Sequence, residues 1–213
     1  MTAIQNAASQ RNSTPDGVFD WLRAGNDRFA RNESSNRDLL AQARATSGGQ
    51  FPLAAVLGCI DSRVPIEAVF DVGIGDVFAA RSAGNVVDSD VIGGLEFATE
   101  LAGAKVIVVL GHSACGAVMG ACSGAVLGSL TQLLQKITPA VQAEAGGEVA
   151  PGADDAELVR RVVVRNVINS IDTLRSSEIL TARESAGDLM IVGGVYDLAT
   201  GRIEWQRAPT TTA

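Results

Sequence analysis

Histidine occurs once in these 213 residues, at His112, and aromatic side chains make up only 4% of the chain. One imidazole cannot be both a metal ligand and a proton shuttle, and a Ser–His–Asp triad has nothing to build on when the only histidine adjoins Ser113. Cysteine is scarce and odd in number, with three residues, which excludes a disulfide framework and leaves thiols, metal ligands or nucleophiles. No apolar run approaches the ~18–20 residues of a membrane span. The polar first 30 residues lack the pattern of a signal peptide, so the expected location is cytoplasmic. Basic charge is short as well: 17 Lys and Arg stand against 24 Asp and Glu, for a net charge of −7. No basic stripe exists to neutralise phosphates, which excludes nucleic acid and anionic membrane surfaces as main partners.

What is present describes a globular chain, 46% apolar and 19% charged, long enough for one domain with a real core. Residues 1–14 are polar, with little periodicity, and read as a mobile arm. Apolar residues at helical spacing predict an amphipathic helix over 16–31 and a weaker one over 37–46, with a loop at 47–52. From Leu53 the pattern becomes strand, turn, helix. Short Val/Ile/Ala-rich runs at 53–58, 76–81, 105–111 and 188–195 read as strands buried on both faces. Helices are predicted at 65–70, 88–102, 114–122, 126–145 and 154–182, the last capped by Asp154. The stretch 145–154 is a loop, and a final strand at 202–206 pairs antiparallel with 188–195. The fold class is α/β: a mostly parallel sheet of four strands plus an antiparallel edge strand, helices on both faces and an N-terminal helical arm. We divide it into an arm over 1–50 and an α/β body over 51–213, a single domain overall.

Two of the strands end alike. "VLGCIDSRVP" (56–65) carries Cys59, Asp61 and Arg63 just past its apolar run, and "VIVVLGHSACG" (106–116) carries His112 and Cys115. Ligands gather at the carboxyl ends of strands in open parallel sheets. If these strands are neighbours, two thiolates and an imidazole converge, a donor set suited to zinc. Ligands drawn from two strand ends sit in a crevice on a rigid scaffold, unlike a finger. Three of them leave a fourth position free, as in a catalytic site. The plain alternatives are a buried thiol after each strand, or a structural zinc site with Asp61 as fourth ligand. Cys122, two helical turns beyond Cys115, reads as a core thiol. "VGIGDVF" lacks the third glycine of a dinucleotide fingerprint. Phe19, Trp21 and Phe29 read as core or interface, and their density on a helix outside the main sheet favours the interface.

"CIDSR" (59–63) and "GHSACGAV" (111–118) resemble the two signature motifs of the β-class carbonic anhydrases, and "GDVFAARSAGNVV" (75–87) resembles the segment between them. The resemblance is specific from about Gln50 to Met119 and looser through "IVGGVYDLATGRIEW". It implies a zinc enzyme, with one Zn2+ per chain, for the reversible hydration of CO2 to bicarbonate. It also implies a homodimer or dimer of dimers whose N-terminal helices wrap over the partner. Cys59, His112 and Cys115 match the zinc ligands, and Asp61 and Arg63 match a carboxylate–guanidinium dyad. Gln50 matches a glutamine that reaches the partner's active site, and Phe78 a pocket wall. Gly116 offers a backbone N–H at a helix start. Val56 stands where a tryptophan accompanies a closed, bicarbonate-regulated form, which implies the open form here. With His112 committed to the metal, the proton must leave by water, buffer, Asp61 or Tyr196. Hydrolysis of CS2 or COS on the same scaffold, and a non-catalytic zinc protein, are the rival readings.

Overall fold

The structure, a computed structural model, describes residues 4–146 and 155–206. Five strands form one sheet in the order β2-β1-β3-β4-β5. They are β1 (Ala54–Gly58), β2 (Val77–Arg81), β3 (Val106–His112), β4 (Met190–Tyr196) and β5 (Ile203–Gln206). The first four run parallel, and β5 pairs antiparallel with β4. From β1 the chain moves to β2 on one side, then crosses back to β3 on the other. The switch point of the sheet therefore lies between the carboxyl ends of β1 and β3. The register puts Gly58 opposite Leu110 and His112 opposite Tyr196, so the residues that follow β1 lie beside the end of β3.

Side chains of the central strands alternate between two cores. Val56, Val108, Leu110 and Val192 face Val18 and Leu22 of α2 (Pro15–Ala30) and Ile66, Val69 and Phe70 at α4 (Ile66–Val69). Ala55, Ile107, Val109 and Ile191 face Leu95 and Ala98 on one helix and Val167, Ile171 and Leu174 on another. The first is α5 (Ser89–Glu96), which ends in a wider turn over Phe97–Leu101; the second is α9 (Ala156–Leu174). Gly111 lets α9 come this close, because a Cβ there would lie 2.7 Å from Val167 Cγ2. A third apolar group packs α6 (Gly116–Cys122), α7 (Gly128–Gln135), α8 (Thr138–Glu144) and α9 at the carboxyl end of the sheet.

Several expectations need correction. The arm holds a helix, α1 (Ala7–Asn12), where a mobile segment was expected. Asn6 caps it through Ala8 and Ser9, and Gln10 Nε2 donates to Pro52 O and Ala102 O, each at 2.7 Å. The expected helix at 126–145 is two, because Pro139 in its middle lacks an N–H and clashes with the preceding turn. The expected helix at 154–182 is also two: Ser177 caps Leu180 N and starts α10 (Glu178–Ser185). Asp154 lies outside the described residues, as does 147–154 of the expected loop; Asp155 caps α9 by accepting from Leu158 N. Strand β2 is not buried on both faces, since it forms the sheet edge and its residues are half-buried or exposed. Phe19, Trp21 and Phe29 pack on their own sheet: Phe19 meets Trp205 edge-on at 4.8 Å and Phe29 lies 6.4 Å from Tyr196. Helix α2 needs those rings to seat it on β4 and β5. The second helix of this region, α3 (Leu39–Thr46), leaves Leu39 and Leu40 exposed.

Candidate metal centre

Strand β1 delivers Cys59 and strand β3 delivers His112 to the same point, and the turn after β3 brings in Cys115 as the N-cap of α6. One ligand atom from each lies within 4.8 Å of the others. The sulfurs of Cys59 and Cys115 are 4.0 Å apart. Two sulfurs, each about 2.3 Å from a tetrahedral ion, would stand roughly 3.8 Å apart, so the pair is spaced for one metal. It is far too wide for a disulfide, and all three cysteines are free and buried.

His112 is fully buried. Its Nδ1 lies 2.9 Å from Ser113 O. A carbonyl can only accept, so Nδ1 carries the proton and Nε2 presents its lone pair. That Nε2 is buried without a hydrogen-bond partner among the described residues. An orphaned lone pair beside two sulfurs is what a soft cation would satisfy. Hydrogen bonding between the thiols lowers Cys59, helped by the Gly84 N–H, and raises Cys115 together with burial. The pair therefore holds one charge readily and a second only with a cation beside it.

The backbone here is braced. Ala114 sits in the left-handed region at φ 52°, a conformation costly for a residue with a side chain. Its carbonyl accepts from Arg63 Nη2 at 3.3 Å, which ties the first motif to the second. Ser113 is pinned at both ends: its N–H donates to Tyr196 O, and its Oγ accepts from Leu198 N at 3.0 Å. Arg81, at the end of β2, donates to Cys59 O at 2.9 Å and to Asp61 O at 2.6 Å.

Asp61 faces Arg63 in a two-pronged contact, Nε to Oδ1 at 2.9 Å and Nη2 to Oδ2 at 2.8 Å, and the Arg63 N–H also reaches Oδ1. Those bonds hold its carboxyl well below the usual range. Asp61 Oδ2 is 3.9 Å from His112 Nε2. It thus stands beside the donor group, committed to Arg63. Its side chain is 16% exposed and that of Arg63 55%, so the dyad reaches solvent beside the buried donor group. Gly116 is the first residue of α6, with open space where a Cβ would be.

Gln50 and Phe78 lie on other segments, and Tyr196 stands on β4 opposite His112. Gln50 is exposed on the loop before β1. Phe78 lies on edge strand β2 and meets Phe97 at 6.0 Å, on the α5 side of the sheet. Tyr196 is buried, which pushes its phenol up and makes it a poor proton exit. Sequence reading did not single out Arg81, or Gly84, whose N–H donates to Cys59 Sγ at 3.3 Å. Both lie within the 75–87 segment, where the shared pattern was the available signal.

Comparison with known proteins agrees with this geometry. The sequence profile of the carbonic anhydrase family matches residues 54–203. "Carbonic anhydrase 2" of Mycobacterium tuberculosis is 34% identical over 198 residues, covering 90% of this chain and 92% of that protein. A carbonic anhydrase of Mycolicibacterium smegmatis is 35% identical over 200 residues, covering 91% and 94%. Among solved structures, a tetrameric β-carbonic anhydrase of Sordaria macrospora superposes with a TM-score of 0.73 at 28% identity, over 91% of this chain and 99% of that one. The Coccomyxa β-carbonic anhydrase in complex with acetazolamide gives 0.71 at 25% identity, over 94% and 89%.

Proposed function

The chain belongs to the β-class carbonic anhydrase family, and on that premise we propose that it interconverts CO2 and water with bicarbonate and a proton, using one Zn2+ held by Cys59, His112 and Cys115. The observation that carries the reading is the orphaned Nε2 of His112 beside two sulfurs at metal spacing. Zinc, when bound, supplies a Lewis acid able to bring the pKa of a water from 15.7 to about 7. Thiolate ligands offset its charge and temper that effect, so the hydration rate is expected to rise above neutral pH.

The chain's own groups do the rest. Asp61 is an acceptor kept ionised by Arg63, and its remaining lone pairs can take a hydrogen bond from the attacking water and aim it. The Arg63 fork holds both oxygens of that carboxylate and fixes the Ala114 carbonyl. The Gly116 N–H, at the head of α6, offers a donor to the anionic product. No second histidine exists to carry the proton away, so it leaves through water to buffer. Turnover should then depend on buffer concentration when buffer is dilute.

Gln50 and Phe78 are assigned to the site of a second copy, in a homodimer or a dimer of dimers. The exposed position of Gln50 and the half-exposed edge strand β2 that carries Phe78 support this, with Phe97 and Leu101 exposed beside it. Residues 1–50 then contribute to the same contact. No helix among the described residues is long and apolar enough to cross a membrane, and three free thiols suit a reducing cytoplasm.

Metal analysis with stopped-flow CO2 hydration tests the whole reading. One zinc per chain and a rate far above background are expected. A full complement of zinc with no rate would reduce the centre to a structural one, and turnover of CS2 or COS in place of CO2 would reassign the substrate.

A further inference from the structure

The hydrogen bond that Cys59 receives from Gly84 originates outside both ligand motifs, in the turn Ala83–Asn85 between β2 and α5. Two consecutive left-handed residues make that turn, Gly84 at φ 67° and Asn85 at φ 46°. A glycine restrains its own dihedrals weakly, so the direction of its N–H has to be set from outside. Two side chains of α9 grip the turn from behind. Asn166 Nδ2 donates to Gly84 O at 2.8 Å, and Ser170 Oγ, one helical turn on, donates to Asn85 O at 3.2 Å. Both are buried, 3% and 5% exposed, among Val162, Val163, Val167 and Ile171. Apolar residues would serve helix packing better there, and a buried amide is retained at a cost unless its partner matters. Packing supplies the remaining constraint: a Cβ on Gly84 would lie 2.7 Å from Ile137 Cδ1 and 3.2 Å from Ala117 Cβ.

We propose that Asn166 is a positioning residue for the metal thiolate: by holding the Gly84 carbonyl it keeps the Gly84 N–H on Cys59 Sγ, and so sets how that sulfur binds the ion. The proposal rests on reading the Cys59–His112–Cys115 group as a zinc centre. An N–H donor draws charge from a thiolate, which leaves the metal more electrophilic, and it also fixes the sulfur in place. Ser170 holds the next carbonyl along, one peptide further from the sulfur, and serves only the stability of the turn.

Two measurements read the ligand itself, apart from activity: zinc affinity by chelator competition, and the sulfur-to-metal charge-transfer band of the cobalt-substituted protein. Asn166→Ala should weaken zinc binding by roughly ten- to a hundredfold and displace the band. Asn166→Ser, which keeps a short donor, should lie between that variant and the native protein. Ser170→Ala should lower the melting temperature with native affinity and band. Equal effects of Ser170→Ala and Asn166→Ala would make Asn166 a mere brace and overturn the proposal. So would an Asn166→Ala protein that loses stability but keeps native affinity and band. Should that variant not fold, Asn166→Ser carries the same test, with an unshifted band and native affinity overturning it. A native protein that takes up no zinc would sink the metal-centre reading and this proposal together.

Discussion

Asp61 and Asp71 are both aspartates bound to arginine, and both are held below the usual carboxylate range, yet their surroundings differ. Asp71 is 1% exposed and fully spent: Arg28 and Arg37 pair with its oxygens, and the N–H and hydroxyl of Ser35 each donate at 3.0 Å. Burial works against its ionisation, and Arg37, Arg28 and Ser35 outweigh that. The cluster clamps α2 and the segment before α3 to the end of α4. Asp61 has one arginine, an open side and an unsatisfied imidazole 3.9 Å away. A closed charge network stabilises; a network left open beside an orphaned lone pair is equipped for chemistry.

The contrast can be broken at graded points. Cys115→Ala should have the largest effect, with zinc lost and hydration falling to background, read by metal analysis and stopped flow. Asp61→Asn should lower kcat by about 10²–10³-fold with zinc retained; hydration within threefold of native would erase the distinction between the two aspartates. Asp71→Asn should act in the opposite sense, costing about 3–5 kcal/mol in urea unfolding while turnover per folded chain stays native. Because the folded Asp71 titrates below the unfolded carboxyl, its stabilisation is full above about pH 4 and fades as pH falls through the folded value. Arg63→Lys keeps the charge but loses the fork and the Ala114 contact, and a decrease of roughly tenfold in kcat/KM is expected.

Asp76→Asn should have the smallest effect. Burial raises the Asp76 carboxyl, which accepts from the Gly73 N–H at 2.6 Å. Its contribution is fullest below the unfolded value and declines as pH rises through the folded one, so the amide should change stability by less than about 1 kcal/mol at neutral pH. A large loss there would mean that this carboxylate, too, has a role in holding the turn.

The strands and the Cys59, His112 and Cys115 group at their ends were legible because apolar runs and the residues that follow them are local signals. Of their order only the antiparallel β4–β5 pair was legible; that β1 and β3 are neighbours was a condition, which the sheet meets. What escaped depends on contacts distant in sequence. Helix α1 has no apolar stripe and is anchored through Gln10 to Pro52 and Ala102. The exposure of β2 comes from its place at the sheet edge, which composition does not reveal. The Asp71 clamp gathers residues 28, 35, 37 and 71, and the support of Cys59 gathers 59, 84 and 166. No spacing rule connects such sets. The helix breaks near Pro139 and Ser177 did have local signals, which the apolar periodicity across them outweighed.

The solitary imidazole has a practical consequence. Isotope-labelled histidine would give one pair of ring-nitrogen resonances per chain, assignable without mutagenesis. The Nδ1 signal should be of the protonated type, held by the Ser113 carbonyl, and Nε2 of the lone-pair type. Titrating in metal should then move the second far more than the first, so a single nucleus would report occupancy of the centre in an otherwise unmodified protein.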